Sequence, residues 1–335
     1  MKPVIFAIAG AELSADERAF FRDADPLGYI LFKRNCVDRA QMKALTDDLR
    51  MLSGRDDLPI LIDQEGGRVS RMVPPEWPAF PPGLAFDRLY DLAPISAIEA
   101  VLANAEALGT MLAEVGVNVN CAPLLDVRQP DVTPAIGDRA FGGDPMRVSA
   151  LGQAMLAGMQ RAGVVGIIKH MPGHGRALVD SHYELPRVRA DAAALELDLE
   201  PFQRLREAPM AMTCHVVFDA WDAERPATIS PTVIKDIVRG QIGFDGLLMT
   251  DDIDMKALSG TAGEKGAAAL AAGCDVVLDC WARMPEMVEI AGRIGDAPPA
   301  CVARLARAMA SVAEAAPSDA FEALIAKRDE LLGLA

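Results

Sequence analysis

Histidine is scarce in this chain, with four in 335 residues, and three of the four crowd between Lys169 and Pro186. Basic residues are outnumbered, 33 Lys and Arg against 48 Asp and Glu, which leaves a net charge of −15. That balance argues against nucleic-acid backbones and anionic membrane surfaces as partners. No stretch approaches the ~18 consecutive apolar residues of a membrane span. Met1-Lys2-Pro3 opens only a short apolar run, without the longer core and cleavage site of a secretory signal. The six cysteines include no C-x-x-C pair, and Cys121, Cys214 and Cys274 lie in or beside apolar runs. Reduced core thiols in a soluble, cytoplasmic protein are the expectation. No Gly-x-Gly-x-x-Gly or P-loop follows the first apolar run, which weakens a nucleotide-binding doubly wound sheet. Neither a second domain nor a short-period repeat is visible.

What is present is core-forming material. Hydrophobic residues make up 51% of the chain and charged ones 24%, enough to bury a large core. Eight short runs read as strands: Val4–Ala9, Gly28–Phe32, Leu58–Ile62, Val117–Pro123, Val164–Ile168, Pro209–Cys214, Gly246–Met249 and Cys274–Leu278. They lack clean alternation, as parallel strands covered on both faces should. Most are separated by amphipathic helices, among them one opened by Ser14-Ala15-Asp16-Glu17, which has the capping-box pattern. Pro74–Gly83 is too rich in proline for a helix or a central strand. Further helical segments, Pro285–Ile294, Ala300–Ala313 and Phe321–Leu332, close the chain. Strand and helix in alternation predict a parallel sheet. Eight such units predict a single-domain (β/α)8 TIM-type barrel of the α/β class.

Polar residues fall where such a barrel builds its sites. Asp63, Asp126, Lys169-His170, His215, Asp251 and Asp279 each stand at or just after the C-terminal end of an expected strand. Asp180 lies two residues from His182, near enough to fix its tautomer and raise its pKa. His170 and His174 have the i, i+4 spacing of zinc ligands on a helix, but Pro172-Gly173 between them disfavours a helix, and no metal is expected. Asp251-Asp252-Ile253-Asp254 can be read as a cation site, as helix capping, or as carboxylates for glycoside hydrolysis. Arg71 and Arg139 follow glycine-containing turns and could reach inward to carboxylates or sugar hydroxyls.

The blocks Lys169-His170-Met171-Pro172-Gly173-His174-Gly175 and Asp180-Ser181-His182 resemble glycoside hydrolase family 3. More narrowly, they are similar to the single-domain bacterial β-N-acetylhexosaminidases of peptidoglycan recycling. Asp63-Gln64-Glu65-Gly66-Gly67-Arg68-Val69, Gly137-Asp138-Arg139-Ala140-Phe141 and Thr250-Asp251-Asp252 match the family's other blocks in order. The resemblance implies roles. Asp251 corresponds to the nucleophile, and His182, assisted by Asp180, to the acid/base. Asp63, Arg71, Arg139, Lys169 and His170 correspond to sugar-binding residues. It also implies a retaining reaction without a cofactor, in which the 2-acetamido group is recognised but does not attack. The implied substrate is a small carbohydrate such as N-acetylglucosaminyl-1,6-anhydro-N-acetylmuramic acid, and the implied assembly a monomer or weak homodimer. A phosphorylase on the same scaffold, a metal-dependent barrel hydrolase and a non-catalytic sugar binder are the competing readings.

Overall fold

The computed structural model describes residues 1–130, 135–181, 183–312 and 319–335. Its strands run β1 Lys2–Ala7, β2 Pro26–Leu31, β3 Ile60–Ile62, β4 Val119–Asn120, β5 Val165–Met171, β6 Arg187–Val188, β7 Met210–Thr213, β8 Val217–Phe218, β9 Asp222–Pro226, β10 Leu247–Asp252 and β11 Val276–Asp279. Eight of them close a barrel in the order β1-β2-β3-β4-β5-β7-β10-β11, with every pairing parallel. Each of the eight overlaps one of the runs read as strands in the sequence. The (β/α)8 expectation therefore holds.

The apolar runs serve two cores at once. Alternate residues such as Ile5, Ala7, Leu61, Ile167, Met249 and Leu278 fill the barrel interior. Their neighbours Phe6, Ile8, Ile60, Ile62, Ile168 and Val277 meet the surrounding helices. This two-sided burial is why no alternation shows in the sequence. Burying each such Ile, Leu or Phe contributes roughly 1.5–3 kcal/mol before chain entropy is counted.

Helix boundaries follow their caps. The helix Ala15–Ala24 begins at a complete Ser14–Glu17 capping box. Asp38, Asp144 and Asp191 accept from the third residue of the helices Arg39–Ser53, Pro145–Arg161 and Ala192–Arg204. The helix Pro94–Glu114, 21 residues long with an 18-residue stretch of mean hydropathy 1.3, is long and apolar enough to cross a membrane by length and composition, although Glu99, Asn104 and Glu106 interrupt its apolar residues. Its apolar window is 67% buried. It packs against the helices Pro145–Arg161 and Phe321–Leu332, as the core helix of a globular layer does. The helix Pro299–Ala310 crosses under the barrel. Its Cys301, Leu305, Ala308 and Met309 join the interior cluster from the floor.

Three features depart from the sequence reading, one of them the π-helix Val233–Ile242 where an ordinary helix was expected. A helix, Gly83–Leu92, follows the Pro-rich stretch directly. A small second sheet, β6-β8-β9, sits outside the barrel beside the histidine segment.

Candidate active site

The strand ends and their loops surround a cavity of about 290 Å³ at the C-terminal face of the barrel. Asp63, Arg71, Arg139, Lys169, His170, Asp180 and Asp251, all singled out in the sequence, line it together. His182 lies outside the described residues. Its two predecessors, Asp180 and Ser181, form part of the wall.

One side of the cavity is an ion network on β3 and β5. Lys169 Nζ stands 2.8 Å from Asp63 Oδ1 and 2.7 Å from Glu65 Oε1. Arg71 Nη2 donates to Asp63 Oδ2 at 3.2 Å. Arg139 forks onto Glu65 through Nε and Nη2, at 2.8 Å and 2.7 Å. Burial works against all these charges, but each has its partner. Lys169 and Arg71 hold Asp63 well below the usual carboxylate range despite its burial. Against the same burial, Arg139 and Lys169 bring Glu65 to about 2. Burial alone would lower Lys169, yet Asp63 and Glu65 raise it above its ordinary value. Arg71 lines the cavity, and its Nε is buried without a hydrogen-bond partner.

The turn after β3 is built to deliver these groups. Gln64 Oε1 accepts from the backbone of Arg71 at 2.7 Å and of Met72 at 3.1 Å, folding the segment back on itself. Gly66 has φ +104°, and a Cβ there would come within 2.3 Å of Pro81 O. Only glycine fits that approach.

The second side is the histidine segment. Pairing between β5 and β7 shifts register between Ile168 and Met171, and the consecutive residues Lys169 and His170 both line the cavity. Asp126, fully buried behind them, accepts from His170 Nδ1 at 2.7 Å and from the backbone N–H of His174 at 2.6 Å. Burial opposes its charge, but His170 and His174 bring Asp126 to about 2. As a carboxylate it fixes His170 as an Nδ1–H donor, so Nε2 is the nitrogen left for the cavity. Burial takes His174 down to about 4, so it is neutral, and its Nε2 meets Ser181 Oγ at 3.2 Å. Gly175 seals the turn, since a Cβ would lie 2.0 Å from Val127 O.

Asp251 ends β10 on the third side. Its Oδ1 accepts the backbone N–H of Asp252 at 2.8 Å. Burial favours its neutral form, but His170 and His215 outweigh that and lower its pKa. His215 is buried, with Nε2 donating to the carbonyl of Asp252 at 2.9 Å and Nδ1 taking the Thr228 hydroxyl at 2.7 Å. Burial lowers its pKa, consistent with a neutral ring bracing the Asp251-Asp252 backbone.

Three strand-end residues thus stand behind the cavity instead of in it: Asp126, His215 and Asp279. Asp279 follows the inward-facing Leu278, so its side chain turns toward the helices. Both its carboxylate oxygens are buried without a partner, and burial together with the Asp252 charge pushes it up to about 7. Sequence reasoning missed Glu65 altogether. Its signal was its place two residues beyond Asp63, facing a lysine and an arginine already singled out.

With this geometry, the comparisons with known proteins are specific. The glycosyl hydrolase family 3 N-terminal domain matches residues 7–314. The chain belongs to that family. A β-hexosaminidase of Bordetella avium is 36% identical over 318 residues, covering 93% of this chain and 89% of its own. One of Thiobacillus denitrificans is 39% identical over 316 residues, covering 91% and 85%. Among solved structures, NagZ from Neisseria gonorrhoeae in complex with N-trifluoroacetyl-D-glucosamine superposes with a TM-score of 0.86 at 29% identity. That match spans 99% of this chain and 98% of the other.

Proposed function

We propose that this glycoside hydrolase of the hexosaminidase type is a retaining exo-β-N-acetylglucosaminidase acting through a covalent glycosyl-aspartate. The observation that carries this is a half-buried but ionised Asp251 lining the same cavity as Asp180 and Ser181, the two residues that precede His182 in the chain. In the first step Asp251 attacks C1 of the terminal sugar while His182, oriented by Asp180, protonates the departing oxygen. In the second, His182 takes a proton from water, which breaks the glycosyl-aspartate bond and restores Asp251. Asp63, Arg71, Arg139, Lys169 and His170 bind the sugar's hydroxyls. Their fixed charges and hydrogen bonds are in place before substrate arrives, so they need not reorganise. The cavity is near the small end of ligand pockets, which run about 300–1,000 Å³. That suits one terminal sugar, with the remainder of the substrate outside.

The natural substrate under this reading is a peptidoglycan fragment of the N-acetylglucosaminyl-1,6-anhydro-N-acetylmuramic acid type. The enzyme works in the cytoplasm as a single catalytic domain, monomeric or weakly dimeric, and uses no metal. Proton NMR of a β-N-acetylglucosaminide digest tests the chemistry directly. The first-formed sugar should be the β-anomer. An initial α-anomer would remove the covalent route, and a sugar phosphate formed only in phosphate buffer would make the enzyme a phosphorylase.

A further inference from the structure

One large aromatic side chain at the cavity has no task in the chemistry above. Trp281, just past the end of β11, lines the cavity and yet is 53% exposed. Exposure of a single apolar side chain means little by itself; what sets this indole apart is that it lines the cavity and is held in place there. Its position is fixed from three directions. Nε1 donates to Asp252 Oδ2 at 2.9 Å. The Arg283 guanidinium lies over the ring, 5.1 Å from its centroid, and is itself held by Asp254 and Glu286. Ala282, the next residue, has φ +56°, a left-handed turn that a residue with a Cβ rarely adopts. Asp252 in turn is the chain neighbour of Asp251, so the indole is tied to the residue beside the attacking carboxylate.

We infer that Trp281, backed by Arg283, is the platform on which the leaving part of the substrate rests, and that it selects a pyranose ring there. The inference rests on the hexosaminidase reading. The cavity interior holds the charged and hydrogen-bonding groups suited to a terminal sugar's hydroxyls. The rim beside Asp251 instead offers a flat apolar surface. A pyranose has a face of C–H bonds that fits such a surface, whereas a methyl group covers little of it. The platform therefore discriminates between leaving groups without touching the reacting atoms.

The test compares two N-acetylglucosaminides, the methyl β-glycoside and the β-1,4-linked disaccharide, in wild type, Trp281→Phe and Trp281→Ala. Trp281→Ala should raise KM for the disaccharide about tenfold, leaving KM for the methyl glycoside and inhibition by free N-acetylglucosamine within about twofold. Trp281→Phe keeps a ring but loses the bond to Asp252, and should stay near wild type on both. If Trp281→Ala shifts both substrates and the inhibition constant equally, the indole serves the terminal sugar or the fold, and the inference is overturned. If Trp281→Phe is as impaired as Trp281→Ala, the indole acts by positioning Asp252, which also overturns it. A wild type that cleaves neither glycoside would end the hexosaminidase reading and this inference together.

Discussion

Asp126 accepts both the Nδ1–H and the backbone N–H of His170, at 2.7 Å and 3.2 Å. One buried carboxylate thus sets the ring's tautomer and the course of its main chain. Asp126→Asn should keep the fold but lose a charge-assisted bond of about 1.5–3 kcal/mol. On an aryl N-acetylglucosaminide, kcat/KM should fall about 10–100-fold with little change in the circular dichroism spectrum. Unchanged kinetics would mean that His170 holds its orientation without Asp126.

Removing the proposed nucleophile should be far more costly. Asp251→Gly should lower kcat by about 10⁴-fold or more, the scale expected when one member of a catalytic unit is lost. Added azide should restore turnover through the vacated space and give an α-glycosyl azide, identifiable by NMR. A β-azide, or full activity without azide, would place the nucleophile elsewhere.

Lys169, itself buried, stands between two half-buried carboxylates, Asp63 and Glu65. Lys169→Met leaves both facing each other across the gap. The cost should be about 1–3 kcal/mol of stability, since Arg71 and Arg139 remain as partners, seen as a lower Tm, together with loss of sugar binding. Because both carboxylates are held low in the folded protein, the wild-type network contributes above their ordinary pKa range and is lost only as pH falls toward Glu65's value of about 2. The variant should therefore recover part of its lost Tm on mild acidification, where Asp63 and Glu65, left with Arg71 and Arg139 alone, take up a proton more readily.

Asp279 has the opposite sign. Burial raises it to about 7, so the folded state holds a proton there that the unfolded chain, with its carboxyl near its ordinary ~3.9, releases. Its contribution to stability therefore falls as pH rises from about 4 to about 7. Asp279→Asn should raise Tm at pH 8 while leaving it nearly unchanged at pH 4, as measured by calorimetry. An equal shift at both values would show that packing, not ionisation, governs this position.

The barrel was legible because eight apolar runs were present, six of them followed by the polar residues named above, and most were joined by patterned helices. Which strand-end residues face the cavity and which stand behind it was less so. Position at a strand's end says that a residue is near the mouth, but not whether it faces the cavity. Asp63 and Asp251 face it, while Asp126 and Asp279 differ only in the direction their Cα–Cβ bonds take. The pleat rule would send Lys169 and His170 to opposite sides, and only the irregular pairing of β5 with β7 lets both face the cavity. The helix Gly83–Leu92 escaped notice because no side chain caps its start at Pro82. The strands β6 and β8, two residues each, are too short to leave a pattern. Residues Val233–Ile242, expected as an ordinary helix from Pro231, instead form a π-helix, a distinction that apolar spacing does not reveal.

The helix Pro299–Ala310 has a consequence for the order of events. Among the described residues, Cys301, Leu305 and Met309 stopper the floor and side chains fill the barrel above them, so the barrel is closed beneath Asp251 and the cavity lies at the C-terminal mouth. Under the proposed two-step reaction, whatever departs in the first half leaves by the mouth that the incoming water crosses in the second. A leaving group that lingers on the sill keeps the hydrolytic water out and stands ready to be rejoined to the sugar.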